Sequence, residues 1–283
     1  MNPSALRGCR IFVPHGDSAA PRPLVVMLHG CSQTPEDFAR GTRMEAIAAE
    51  HGVAVAWPAQ PARANRGRCW NWFRPQHQEA GAGEPAAIAA ITREVMERHP
   101  IDPARVYVAG LSAGGAMAVI VAATHPELFA AVGVHSGLAY RAAHSLHSAM
   151  LAMKGASSDV FFARQDSVRL TAPAIIFHGG ADETVHPRNG EALLAQWLAS
   201  REWSTVEGSK LHQQSGEEAG RRYTRRSIVD GDGRPVLEHW AVDGLGHAWS
   251  GGNPAGSFTD AAGPDASREM LRFFLANPRG AGG

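Results

Sequence analysis

Cysteine is nearly missing from this chain: there are three in 283 residues, at Cys9, Cys31 and Cys69. A set this sparse and odd is no disulfide framework of the kind that staples small secreted domains. No CxxC pair or Cys/His cluster has zinc-ligand spacing and the 14 histidines are scattered, so neither a metal nor another cofactor is expected. An excess of either charge is also missing, since 27 Lys and Arg balance 27 Asp and Glu. Without it there is no long-range pull toward nucleic acid or an anionic membrane, and neither is expected as a partner. No run of about 18 apolar residues occurs, which excludes a membrane-spanning helix. The opening MNPSALRGCRIFVP lacks the basic and apolar regions of a secretory signal. By that criterion the protein is cytoplasmic, unless its leader is unconventional or absent from this chain. No feature marks a partner protein.

What is present is ordinary globular material, with 44% hydrophobic and 19% charged residues, enough to bury a full core. Short β-branched runs alternate with alanine-rich stretches of helical length, the pattern of a mostly parallel sheet covered on both faces. Strands are expected at Cys9–Pro14, Leu24–Leu28, Val53–Trp57, Arg105–Ala109, Ala130–His135 and Ala174–His178. Helices are expected at Phe38–His51, Glu84–His99, Ala113–Thr124, Arg188–Ser200 and Asp265–Ala276. Tyr223–Val229 and Pro235–Val242 flank Asp230-Gly231-Asp232-Gly233, a hairpin signal. Two irregular stretches interrupt the rhythm, Pro58–Gly83 and Leu138–Thr171, the second with one candidate helix at Ala143–Lys154. Insertions of that length often shape a site, and 138–171 is expected to form a small cap-like element. The expectation is one α/β domain over residues 1–283, ending in a frayed tail at Pro278–Gly283.

The sharpest chemical signal is Gly110-Leu111-Ser112-Ala113-Gly114, placed between an expected strand and an expected helix. That context gives G-x-S-x-G its meaning: the tight turn leaves no room for neighbouring side chains and pushes the serine hydroxyl clear of the sheet. A serine needs a base, and the base needs an orienting acid. Asp182 follows the apolar run Ala174–Phe177, where a strand end would deliver a carboxylate to the sheet edge. Glu183 and Asp166 are weaker rivals. His247 follows the last strand in a glycine-rich loop and is the candidate base; His239 falls in a strand, His212 in a polar loop and His186 just past the acid's turn. The backbone amides of Ala113 and of Cys31, after Gly30, are candidate oxyanion donors. Each residue also has a bland reading as turn, cap or surface group. Trp70, Trp72 and Trp249 are candidates for an apolar substrate wall, the first two equally readable as core; Arg74 and His77 read as surface residues.

Taken in order, LHGCSQ, RCWNWF, GLSAGGAM, HGGADETVHP and GLGHAWSGG resemble the esterases of the polyhydroxybutyrate depolymerase family over essentially the whole chain. The resemblance implies an α/β-hydrolase fold and a serine esterase acting through an acyl-enzyme. Its nucleophile, acid, base and oxyanion turn would be Ser112, Asp182, His247 and Cys31. It further implies poly- or oligo(3-hydroxybutyrate) or related short-chain esters as substrates. No separate polymer-binding module is visible, which favours soluble oligomers and small esters over solid polymer. Two alternatives stand beside this: a feruloyl or acetyl carbohydrate esterase, which shares such motifs, and a non-catalytic binding protein on the same fold. The family motifs place a cysteine in each of two loops, at Cys31 and Cys69, that leave a parallel sheet at the same edge. A bridge between them is one expectation, and a pair of buried thiols, as a reducing compartment would enforce, is the other.

Overall fold

The computed structural model describes residues 8–15, 20–156, 170–200 and 210–280. Its centre is a nine-stranded sheet in the order β1-β3-β2-β4-β5-β6-β9-β8-β7. These strands are β1 (Cys9–Phe12), β2 (Arg22–Leu28), β3 (Ala54–Pro58), β4 (Ile101–Leu111), β5 (Ala131–His135), β6 (Ala174–Gly179), β7 (Lys210–Glu218), β8 (Arg221–Val229) and β9 (Pro235–Val242). From β3 through β9 the neighbours run parallel. β1 at one edge and the β7–β8 ribbon at the other are antiparallel.

The continuous apolar runs explain the parallel centre, because such strands are buried on both faces. Along β2, Leu24, Val26 and Leu28 enter one core with Val106, Val108 and Ile176; Val25 and Met27 enter the other with Tyr107, Ile175 and Phe177. Helices α3 (Gly83–Arg98), α4 (Ala113–Thr124) and α6 (Arg188–Ala199) cover the first face through Ile88, Met117 and Leu193. Helices α1 (Pro35–Thr42), α2 (Met44–Glu50) and α7 (Ala266–Ala276) cover the second through Phe38, Ile47 and Phe273. All of Ala113–Ala122 in α4 is buried, as a helix without a polar face requires.

Several expectations need correcting. The helix expected over Phe38–His51 is two, broken at Arg43, which takes φ 55° and sends its guanidinium to the Gly251 carbonyl and the Asp265 carboxylate. β7 was not expected. It is an exposed edge strand whose LHQQSGEE has no apolar face to betray it, and so His212 lies in a strand rather than a loop. Tail residues 278–280 are tied down, since the Arg279 amide donates to Ala104 O and its guanidinium to Pro103 O. Within the insertion, α5 (Leu146–Met153) carries a capping box at Ser145. Residues 157–169, with Asp166, lie outside the described residues, as do 281–283 of the tail. The two-residue strands β10 (Trp249–Ser250) and β11 (Thr259–Asp260) pair in parallel beyond the main sheet.

Candidate active site

Ser112 stands between β4 and α4 with φ 58° and ψ −120°, a region that a side-chain-bearing residue enters only when its surroundings force it. The forcing is visible: its amide donates to His135 O at 2.9 Å, and α4 starts hard against β2. A Cβ on Gly114 would collide with the Leu28 and His29 carbonyls, and one on Gly110 with the Gly114 backbone. Ser112 is 8% exposed.

Asp182 follows β6 and is buried. Its Oδ1 accepts the amides of Thr184 (3.0 Å) and Val185 (2.8 Å), and its Oδ2 accepts His247 Nδ1–H at 2.7 Å. Burial opposes the charge on this carboxylate, but the His247 hydrogen bond and the Val185 amide outweigh it, so its pKa lies below the ordinary carboxylate value. The loops that carry Asp182 and His247 are stitched together, Gly180 N to Val242 O at 2.8 Å and Ala181 N to Leu245 O at 2.9 Å. His178, at the end of β6, donates from Nε2 to Val185 O at 2.8 Å and lies 3.7 Å from Asp182 Oδ2. Burial lowers its pKa, which keeps it a neutral donor. Glu183, the rival acid, is exposed, and its carbonyl accepts Lys154 Nζ from the end of α5.

The structure thus pairs His247 with Asp182 but closes no hydrogen bond between His247 and Ser112, whose hydroxyl has no partner among the described residues. Such bonds commonly tighten only when substrate is bound. The amides of Ala113 and Cys31 likewise donate to no acceptor among the described residues. The turn that carries Cys31 is held from several sides. Gly30 N donates to Gln33 Oε1 at 2.8 Å, and His29 Nδ1–H to Gly30 O at 2.7 Å. Cys31 is joined to Cys69 by a disulfide, while Cys9 is free.

The three tryptophans are core rather than wall. Trp249 is 0% exposed, stacked on His135 and hydrogen-bonded to Ser267 Oγ, so no ligand can reach it. Trp70 and Trp72 expose only 3% and 5%; the Trp70 indole donates to His29 O at 3.1 Å. Buried Glu84 organises the loop by accepting Asn71 N, Asn71 Nδ2 and Gln60 Nε2. His77 is half-buried and accepts the Glu84 amide, whereas Arg74 is exposed. Sequence reasoning missed Gln33, Glu84 and His178. Their signal was weak, because each acts through the backbone of another segment. It also passed over Phe258, an exposed ring against His247.

Among the described residues no cluster of three or more His, Cys, Asp or Glu could hold a metal, and no helix is long and apolar enough to cross a membrane. The structure superposes on an acetyl xylan esterase from Aspergillus awamori with TM-score 0.68 at 21% identity, covering 95% of this chain and 93% of that one. The fold is that of the α/β-hydrolases. In sequence the chain is 32% identical over 243 residues to poly(3-hydroxyalkanoate) depolymerase C of Paucimonas lemoignei, covering 83% of this chain but 56% of that protein. It is 30% identical over 292 residues to feruloyl esterase B of Neurospora crassa, covering 96% and 89%. The family described as esterase PHB depolymerase matches residues 8–220, from β1 to the turn after β7, and the chain belongs to that family.

Proposed function

We propose that the protein is a serine carboxylic-ester hydrolase working through an acyl-enzyme. The observation that carries this reading is the 2.7 Å pair of buried Asp182 and His247, delivered to the sheet edge where Ser112 takes its strained turn. Ser112 Oγ attacks the ester carbonyl while His247 Nε2 takes its proton. Asp182 holds the imidazole tautomer, and the free amides of Ala113 and Cys31 receive the oxyanion. His247 then protonates the leaving alcohol. In the second half it takes a proton from water, whose oxygen attacks the acyl carbonyl, and returns that proton to Ser112 Oγ as the acyl bond breaks and the acid is released.

The substrate class proposed is short-chain hydroxyalkanoate oligomers and related small esters, in line with the depolymerase relative. A second reading, feruloyl or acetyl esters of carbohydrate, is in line with the feruloyl esterase relative, 30% identical over 292 residues. Turnover of hydroxybutyrate oligomers, methyl ferulate and p-nitrophenyl esters in parallel separates the two. Ser112→Ala is expected to lose at least about 10⁴-fold in kcat and all labelling by a fluorophosphonate probe. Near-wild-type activity in that variant would overturn Ser112 as the nucleophile, and a wild-type chain that neither labels nor turns over esters would leave the non-catalytic binding protein.

A further inference from the structure

Phe258 lies just before β11 with its ring edge-on to His247, centroids 6.3 Å apart at 74°. It is 45% exposed, whereas the neighbouring Trp249 is wholly buried. Its backbone takes φ 52°, the left-handed region that suits glycine and strains a bulky residue. Both features run against what folding alone would select, since a phenyl ring gains by leaving water. Such exceptions concentrate where a site needs them.

The ring is also held in register with the rest of the site. Phe258 O accepts Trp249 N at 2.8 Å. The adjacent Ser257 accepts Gln33 Nε2 at its carbonyl (2.9 Å) and donates its amide and hydroxyl to Asp37. The other end of the Gln33 amide, Oε1, accepts Gly30 N. One buried side chain therefore ties the Phe258 loop to the turn that carries the Cys31 amide, while the ring itself touches His247.

We infer that Phe258 contacts the substrate and forms the apolar wall for the alcohol portion of the ester; this rests on the ester-hydrolysis reading above. The side follows from the chemistry. His247 must pass its proton to the leaving oxygen, so the alcohol lies on the His247 side of the carbonyl, and the ring against His247 is the surface it meets. The acyl portion stays on Ser112, with its oxygen toward Ala113 and Cys31. After the alcohol departs, water takes its place and Phe258 has no acyl chain to hold. The residue therefore governs the dependence on alcohol and leaves the dependence on acyl length alone.

Two ester series test this in wild type, Phe258→Ala and Phe258→Gly: acetates of alcohols graded from methyl to naphthyl, and p-nitrophenyl esters graded in acyl length. For the naphthyl ester, Phe258→Ala is expected to lose about tenfold in kcat/KM, with the loss shrinking as the alcohol shrinks. Across the acyl series all rates should fall by one common factor. Phe258→Gly should repeat that pattern with an unchanged or higher Tm, because it relieves the backbone. A uniform loss over both series would make the ring a mere support for His247, and a changed acyl profile or no change would place the alcohol elsewhere; each overturns the inference. Labelling of Ser112 by a fluorophosphonate is run on every variant. If wild type fails to label, the ester-hydrolysis reading has failed; if labelling persists with a flat alcohol profile, only this inference has.

Discussion

A carboxylate has two oxygens, and Asp182 uses them for different tasks: Oδ1 is fastened by the Thr184 and Val185 amides, which leaves Oδ2 for His247. The Val185 carbonyl is in turn fixed by His178. The loop is thus held at both faces of one peptide segment, and the effects of substitution should be graded accordingly. Asp182→Asn keeps an acceptor for the two amides but no longer favours the right imidazole tautomer, so kcat should fall by about 10³- to 10⁴-fold. His178→Leu leaves the acid in place and slackens its loop; a loss of about tenfold in kcat with KM little changed is expected, and His178→Gln, which restores a donor, should recover part of it. Glu183→Gln and Asp166→Asn should stay within about twofold. Steady-state kinetics on one p-nitrophenyl ester decides the order. A larger effect from Asp166 than from Asp182 would move the acid into the insertion.

Among the elements, those that position the site were the ones legible in sequence. Residues 24–28 of β2, 106–111 of β4, 174–177 of β6 and 113–122 of α4 are apolar because they are buried on all sides, and Ser112, Asp182 and the Cys31 turn stand at the ends of these elements. β7 was illegible for the opposite reason: an edge strand exposed on both faces carries no periodicity. The break at Arg43 was hidden as well, since a left-handed arginine is stabilised by Gly251 and Asp265, more than 200 positions away in sequence. The tryptophans were legible as large apolar residues, yet whether such a residue lines a pocket or fills a core depends on neighbours the local sequence does not name. The disulfide joins two such elements, the turn after β2 and the loop after β3, across a separation of 38 residues. Closing a loop of that length removes unfolded-chain entropy worth about 4 kcal/mol, so reduction should lower Tm by on the order of 10 °C. Thiol titration checks the pairing: one reactive thiol in denaturant without reductant, and three with it. In the native protein Cys9 should stay silent, because burial pushes its thiol up to about 12.

At the scale of the whole molecule, the parallel sheet brings its chemistry to one edge by burying other polar groups beneath it, and several of these are imidazoles. His29, His135, His178 and His239 are all nearly inaccessible, and burial lowers the pKa of each, that of His135 to about 3. Around His135 the neighbouring His178 and His247 rings add to this lowering, and only Asp182 opposes it. The neutral forms are built into the hydrogen bonding, since His135 Nε2 accepts Ser250 N and His29 Nε2 accepts Gln60 N. An unfolded chain protonates its histidines near pH 6.5. Between there and about pH 3, the unfolded state binds protons that the folded state refuses, so stability must rise with pH across that window. The contribution is complete above about pH 6.5 and is lost as pH falls, at up to about 1.4 kcal/mol per pH unit for each histidine. Below about pH 4 the depressed Asp182 adds to the loss with the same sign. Urea unfolding at pH 8, 7, 6, 5 and 4 is therefore expected to give a plateau at the alkaline end and a progressively steeper decline below pH 6.5. His135→Gln, which removes one titrating ring and keeps an acceptor for the Ser250 amide, should make that decline shallower. A plateau extending unbroken to pH 4 in the wild-type protein would mean that these rings take up protons in the fold, contrary to their burial.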